Sequence, residues 1–237
     1  MRFVRPLSRA AGAVELLDGP APFAERARSL ADVARLNGAF GGRLMTVRHV
    51  RRLLARLPAD RIATVVDLGT GGGDIPRALV RWARRAGRSI RVFALDLSEP
   101  TLEVARRTVA SYPEITLLRA DALAAPFRKH AVDVAISSLT LHHLEPAAAI
   151  TYLEAMGAMA REGVVVNDLA RSRLGWAAMW LVTRLFGCGR MSRHDGPLSV
   201  RRAYTADEVR GLCARAGLEG VAVRRYAPLL RLCAVTE

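Results

Sequence analysis

A chain of 237 residues, 51% apolar and 24% charged, holds enough material for one large packed domain and little for long disorder. Its formal net charge of +14 would suit a polyanionic partner, but of 36 basic residues only Lys129 is lysine, a ratio that arginine-rich coding alone produces. The charge is also dispersed, with +6 over residues 1–60, +5 over 61–130, −4 over 131–170 and +7 over 171–237, so no basic tail exists.

Residues 21–57 show helical periodicity, with Phe23, Ala27, Leu30, Val33 and Leu36 at steps of three and four. Asn37-Gly38 and Gly41-Gly42 interrupt it, and a second amphipathic stretch runs from about Leu44 to Leu57, ended by Pro58. Ile62–Val66 is a first strand, followed by a glycine cluster and a helix to about Arg85. Ile90–Leu95 is a second strand, with a helix over Glu99–Ser111; Ile115–Arg119 is a third. Val132–Ile136 is a fourth, with a helix over Pro146–Ala160, and Val164–Val166 is a fifth. Strands alternating with helices at this spacing predict a doubly wound α/β sheet, mostly parallel, with helices on both faces. Residues 169–204 break the rhythm with an apolar helix over Leu174–Phe186 and then a glycine- and arginine-rich loop. Thr205–Ala216 is a helix with a Thr205/Glu208 capping box and Gly217 just past its end. Val221–Tyr226 and Leu229–Val235, separated by Ala227-Pro228, predict a terminal antiparallel hairpin and bring the sheet to seven strands. The division expected is a helical N-terminal cover (1–58), a core (59–168), a cap insertion (169–204) and a closing helix and hairpin (205–237).

Cys188, Cys213 and Cys233 form neither a CxxC pair nor an even disulfide set, so free or buried thiols are expected. No Cys/His cluster has ligand spacing, so no metal is expected. The N-terminus lacks the apolar core of a secretory signal, and no stretch reaches the roughly 18 uncharged residues of a spanning helix, which implies a cytoplasmic protein.

The first strand runs into Asp67-Leu-Gly69-Thr70-Gly71-Gly-Gly73-Asp74. Glycines at a strand-to-helix turn let the backbone approach a ligand. The spacing is D-x-G-x-G-x-G; Asp74 stands where a dinucleotide fingerprint needs a small residue, and there is no Gly-Lys-Ser/Thr of a phosphate loop. Asp96 ends strand two in Ala94-Leu95-Asp96-Leu97-Ser98, Asp121-Ala122 ends strand three, and Ser137-Ser138 end strand four. Each acid alone would serve equally as a helix cap, but four such landmarks on consecutive βα units point to a ligand site. The sequence resembles class I, Rossmann-like S-adenosylmethionine (SAM) methyltransferases over about residues 40–237, most closely over 62–145. The resemblance implies that Asp96 and Leu97 meet the ribose end of the cofactor and that Asp121 and Ala122 take the adenine. It implies that Gly69, Thr70 and Gly71 line the amino-acid and ribose portion, and that Ser137 and Ser138 lie beside the methionine part. Asp67 would support the turn or meet the methionine ammonium.

Strand four continues as Ser-Ser-Leu-Thr-Leu-His142-His143-Leu, without the [D/N]-P-P-[Y/F] of amino-methylating base enzymes and without a catalytic Thr-Cys or Pro-Cys. That argues against base methylation but leaves transfer to a backbone ribose open, so an RNA-directed enzyme stands as the less expected alternative. The stretch 137–145 and Val164–Leu169 resemble small-molecule enzymes of the ubiquinone/menaquinone-like branch. Residues 192–205 after an apolar helix resemble bacterial relatives placed with polyketide or aromatic natural products. The resemblance implies transfer to a small apolar acceptor, a phenolic, polyketide-type or quinone-like hydroxyl in preference to carbon. The proton acceptor is sought among His142, His143 and His194, each of which could instead be structural, while His49 and His130 read as surface residues. Trp176, Met179 and Trp180 on the apolar helix would form the acceptor pocket, pack plainly on the domain, or, with nearby arginines, touch a membrane surface. Asn37–Arg43 would close over the cofactor. A homodimer is left open.

Overall fold

The computed structural model describes residues 7–226 and 230–237. A short turn at Leu16–Asp18 precedes α1 (Phe23–Ala39) and α2 (Gly42–Leu54), which meet at Gly41 in the left-handed region (φ 71°). Then come β1 (Ala63–Leu68), α3 (Asp74–Arg85), β2 (Ile90–Asp96), α4 (Glu99–Val109), β3 (Ile115–Arg119), β4 (Val132–Ser138), α5 (Pro146–Met159) and β5 (Ala160–Leu169). The chain ends with α6 (Arg173–Leu185), α7 (Arg190–Arg202), α8 (Ala206–Arg215), β6 (Val221–Tyr226) and β7 (Arg231–Thr236).

The seven strands lie in the order β3-β2-β1-β4-β5-β7-β6. β1 to β5 pair in parallel, and β7 inserts antiparallel between β5 and β6, so the expected hairpin pairs Val221 with Thr236 through Tyr226 with Arg231. The Ala227-Pro228 turn and the Leu229 strand start lie outside the described residues. Val65, Val66, Val92, Val134 and Ile136 have no exposed surface, as parallel strands covered on both faces require. One core, centred on Tyr152, Leu153 and Met156 of α5 against Val66, Leu68 and Val166, fills one face. The other packs α2 and α3 through Val50, Leu53, Leu54 and Leu79 against Val65, Val134 and Val165. The strand order reverses between β1 and β4, so a crevice opens at their carboxyl ends.

The predicted strands and helices form, with strand one reaching Leu68 rather than stopping at Val66, and α5 running straight into a longer β5. The segment after α6 is a correction: it is not a loop but α7. Gly196-Pro197 hid that helix from a breaker-based reading, and its buried side is largely polar, with Ser192, Asp195, Ser199 and Arg202 inside. A 3.6-residue period carried by such residues leaves no apolar stripe to see. The predicted capping box is present: the Thr205 hydroxyl accepts from the Glu208 amide at 3.3 Å and the Glu208 carboxylate from the Thr205 amide at 2.7 Å. Cys188, Cys213 and Cys233 are free and buried.

Thr205→Ala removes one of those two bonds. It should lower unfolding free energy by about 1 kcal/mol in urea titration while leaving ligand affinity intact.

Candidate active site

The crevice is a cavity of about 540 Å³ whose walls come from the ends of β1, β2, β3, β4 and β5, from α1, α6 and α7, and from the segment around Glu15–Asp18. Its floor is the glycine turn. Gly69, Gly71 and Gly73 all have positive φ (74°, 55° and 77°), and a Cβ on Gly69 would overlap the Thr140 side chain. Thr70 donates its amide to Leu95 O at 2.7 Å, which pins the turn to β2.

Asp67 is buried beneath this turn. One of its oxygens accepts from the Thr70 hydroxyl at 2.8 Å, and the other has no partner. Burial, with the Asp74 and Asp96 carboxylates nearby, pushes its pKa up to about 7. Asp96 accepts from the Gly71 and Ser98 amides at 2.9 and 3.0 Å, which fixes the carboxylate at the cleft edge; burial raises its pKa. Asp121 accepts from the Leu123 amide at 2.9 Å. Leu97, Asp121, Ala122 and Ser138 line the cleft with Asp67, Gly69, Thr70, Gly71 and Asp96. Ser137 does not: it is fully buried behind the sheet end, 2.9 Å from the Tyr152 hydroxyl. Strand alternation accounts for this, since neighbours 137 and 138 point to opposite faces.

Three residues lining the cleft hold a buried polar atom without a partner: Asp67 Oδ1, Asn37 Oδ1 and Ser138 Oγ. Buried polar groups are nearly always bonded, so such orphans on residues that line one cavity fit a polar ligand. Arg231 also lines the cavity; burial lowers its pKa to about 10 against the opposing pull of Asp168 and Asp74, and it donates to Asn167 Oδ1 at 3.5 Å. A cation and an uncommitted carboxylate in one cleft suit an amino acid's carboxylate and ammonium.

The second half of the cavity is built around two histidines after β4. Asp168, at the end of β5, accepts from the His142 backbone amide at 3.1 Å and holds its Nδ1 at 2.6 Å. His142 Nε2 lies 3.6 Å from Glu15. Burial alone would lower the imidazole's pKa, but Asp168 and Glu15 outweigh it and raise it to about 10, so His142 is a buried imidazolium. Asp168 and Glu15 are correspondingly held low, the histidine outweighing their own burial. His143 stacks on it with ring centroids 4.3 Å apart; its Nδ1 is 3.0 Å from Asp18 and its Nε2 3.8 Å from Glu15. From α7, Ser199 donates to Glu15 at 2.9 Å, and Arg202 donates to His143 O at 2.9 Å and lies 3.4 Å from Asp18.

The site residues expected from sequence divide accordingly. His142 and His143 both face the cleft, the first buried and the second half-buried. His194 is outside it, half-exposed and bonded to Asp195, whose carboxylate also takes the Leu16 and Leu17 amides. Met179 lines the cleft, but Trp176 and Trp180 do not. Gly175, Met179 and Thr183 recur every four residues on the inner face of α6, which turns both tryptophans outward. Asn37 lines the cleft and donates to Asp74 at 3.2 Å. His130 is exposed, but His49 is half-buried, 3.1 Å from the Tyr226 hydroxyl. Sequence reasoning missed Glu15, Asp18 and Arg202, which carry no local signal. It also passed over Asp168 and Arg231; an acid ending a strand and an arginine inside an apolar one were legible signs.

Residues 65–163 match the methyltransferase domain family. The 2-phytyl-1,4-naphtoquinone methyltransferase of Thermosynechococcus vestitus is 48% identical over 65 residues, 27% of this chain and 28% of that protein, so the match spans little more than a quarter of the relative's length. A SAM-dependent methyltransferase from Aquifex aeolicus superposes with a TM-score of 0.54 at 19% identity, over 78% of this chain and 87% of the other. The citrinin polyketide synthase CMeT domain gives 0.61 at 13% identity, over 78% and 49%. The fold is that of class I, SAM-dependent methyltransferases, and residues 65–163 carry the match to a methyltransferase domain. The cofactor is SAM, and the glycine turn, the partnerless Asp67 oxygen and the fixed Asp96 fit that cation.

SAM should bind more weakly as pH falls below about 7, because ionised Asp67 attracts the positively charged cofactor and protonation removes that charge. Calorimetric titration near pH 6 and pH 8 should show affinity rising with pH, by up to about tenfold per unit. Asp67→Asn should bind more weakly and flatten the profile. Asp96→Ala should cost more than about tenfold, since a charge-assisted hydrogen bond contributes roughly 1.5–3 kcal/mol.

Proposed function

We propose that the protein transfers the methyl group of SAM to an oxygen of a small apolar acceptor of phenolic, polyketide or quinone-like type. The observation that carries this reading is the Asp18–His143 pair beside Glu15, in the same cleft as Asp96 and Asp121. SAM supplies a methyl already activated by its sulfonium. What the protein adds is position, dryness and a proton acceptor.

Asp18 behind Nδ1 fixes the His143 tautomer, leaving Nε2 to take the acceptor's proton. His142 is a poor base, being already protonated; with Asp168 and Glu15 it holds the wall rigid. Leu17, Leu30, Val33, Leu139, Leu169 and Met179 supply the apolar lining. α1 shuts out water, latched to α7 by Asp32, which accepts from the Gly189 amide at 2.7 Å and the Ser192 hydroxyl at 3.0 Å. The quinone named for the Thermosynechococcus relative supports an aromatic acceptor. A ring carbon of a quinol is the second reading, since the same base would take its proton. Against an RNA acceptor stand the acids of the cleft, Glu15, Asp18, Asp67, Asp96 and Asp195, which repel phosphates.

Incubation with labelled SAM and a panel of phenols and quinols should give a methoxy product by mass spectrometry. His143→Ala should lower kcat by about 10²–10⁴-fold with SAM affinity unchanged. Undiminished turnover in that variant would remove His143 from the chemistry.

A further inference from the structure

The outer face of α6 has no role in the cleft. Leu174 and Leu185 are each 72% exposed, Leu181 49%, and Trp176 and Trp180 39% and 44%. Phe186 extends the face, with its ring centroid 5.8 Å from that of Phe40. On this helix of about 20 Å the leucines share one line and the tryptophans another, with Arg173 and Arg184 between the two, so the exposed arc is apolar on both flanks, which an aqueous surface does not favour.

Its surroundings are cationic. From Ser172 to His194 the chain carries Arg173, Arg184, Arg190 and Arg193 and no acid, while Arg171 just before them is buried against Glu208. Arg28 reaches the carbonyl of Gly187 at 3.4 Å, and Arg35 lies 3.5 Å from the Cys188 sulfur, beside its partner Asp32, at the C-terminal end of the same helix. Arg184 folds back over the Trp180 ring, 3.9 Å from its centroid, and donates to the Trp180 carbonyl at 2.8 Å. Tryptophans with arginine stems beside them are the composition of a helix lying in a lipid interface.

We propose that α6 docks the protein on an anionic bilayer surface, lying flat with its tryptophans and leucines in the headgroup region. No helix among the described residues is long and apolar enough to cross a membrane, so the contact is peripheral. Charge favours lipid over a second copy of the chain: a two-fold contact through α6 would set the arginines of 172–194 against each other, and that segment holds no acid to meet them. The inner face of α6 lines the cleft through Met179 and Thr183, so docking brings the cavity within about one helix diameter of the lipid. The contact itself is independent of which acceptor is methylated.

Co-sedimentation of the full chain with vesicles of phosphatidylcholine alone, and of phosphatidylcholine with phosphatidylglycerol, tests this. Partitioning should be about tenfold or more stronger into the anionic vesicles, should fall with added salt, and should shift tryptophan emission to the blue. Trp176→Ser with Trp180→Ser should reduce it by about tenfold or more while SAM affinity, read by calorimetry, stays unchanged. Absent binding to anionic vesicles, equal binding of the double variant, or a dimer by light scattering that the double substitution abolishes would each overturn the proposal.

Discussion

Asp168 grips His142 twice, through the ring and through the backbone amide. From that contact the site is assembled. The grip fixes the turn after β4 against the end of β5, and it keeps the imidazole charged in a place where burial alone would discharge it. A buried cation of this kind needs anions on both sides, and the second is Glu15, from a segment far away in sequence. Glu15 in turn is held by Ser199, and Asp18 by His143 and Arg202. One charge cluster therefore joins the core sheet, the N-terminal segment and α7. Removing a single partner would leave a buried charge uncompensated, a cost of roughly 3–5 kcal/mol.

The glycine turn shows a different economy. Gly69 and Gly71 have the left-handed backbone that lets a ligand come close, and Asp96 is immobilised by two amides before any ligand arrives. Preorganisation of this sort spares the ordering entropy at binding. Asp67 is the exception, since its second oxygen has desolvation to bear and nothing to bond.

The core was legible because its signals are local. Apolar runs of three to six residues, a glycine turn and an acid after each of the first three strands are readable one unit at a time, and β1 to β5 formed where those signs stood. α7 and the Glu15 cluster were not legible, for one shared reason. Their order comes from tertiary partners: Asp195 takes the Leu16 and Leu17 amides, and Ser199 reaches Glu15 across more than 180 residues. No periodicity of apolar residues records such bonds. The tryptophans of α6 failed in another way. The segment was rightly read as an apolar helix, but composition does not say which face turns inward, and the face with Gly175, Met179 and Thr183 does.

The net charge of +14 takes its meaning from where its opposite lies. Arginines occupy the outer helix faces and the flank of α6, while the cleft gathers Glu15, Asp18, Asp67, Asp74, Asp96, Asp121 and Asp195 against Arg202 and Arg231. Several of these acids have cations of their own within the cluster. Asp67 has none, and its raised pKa records the desolvation that remains uncompensated. A ligand carrying an ammonium and a sulfonium supplies the missing positive charge, whereas a phosphate-rich one would add to the repulsion. The overall charge is thus a poor guide to the ligand of the cleft, for which the sign of the cavity counts.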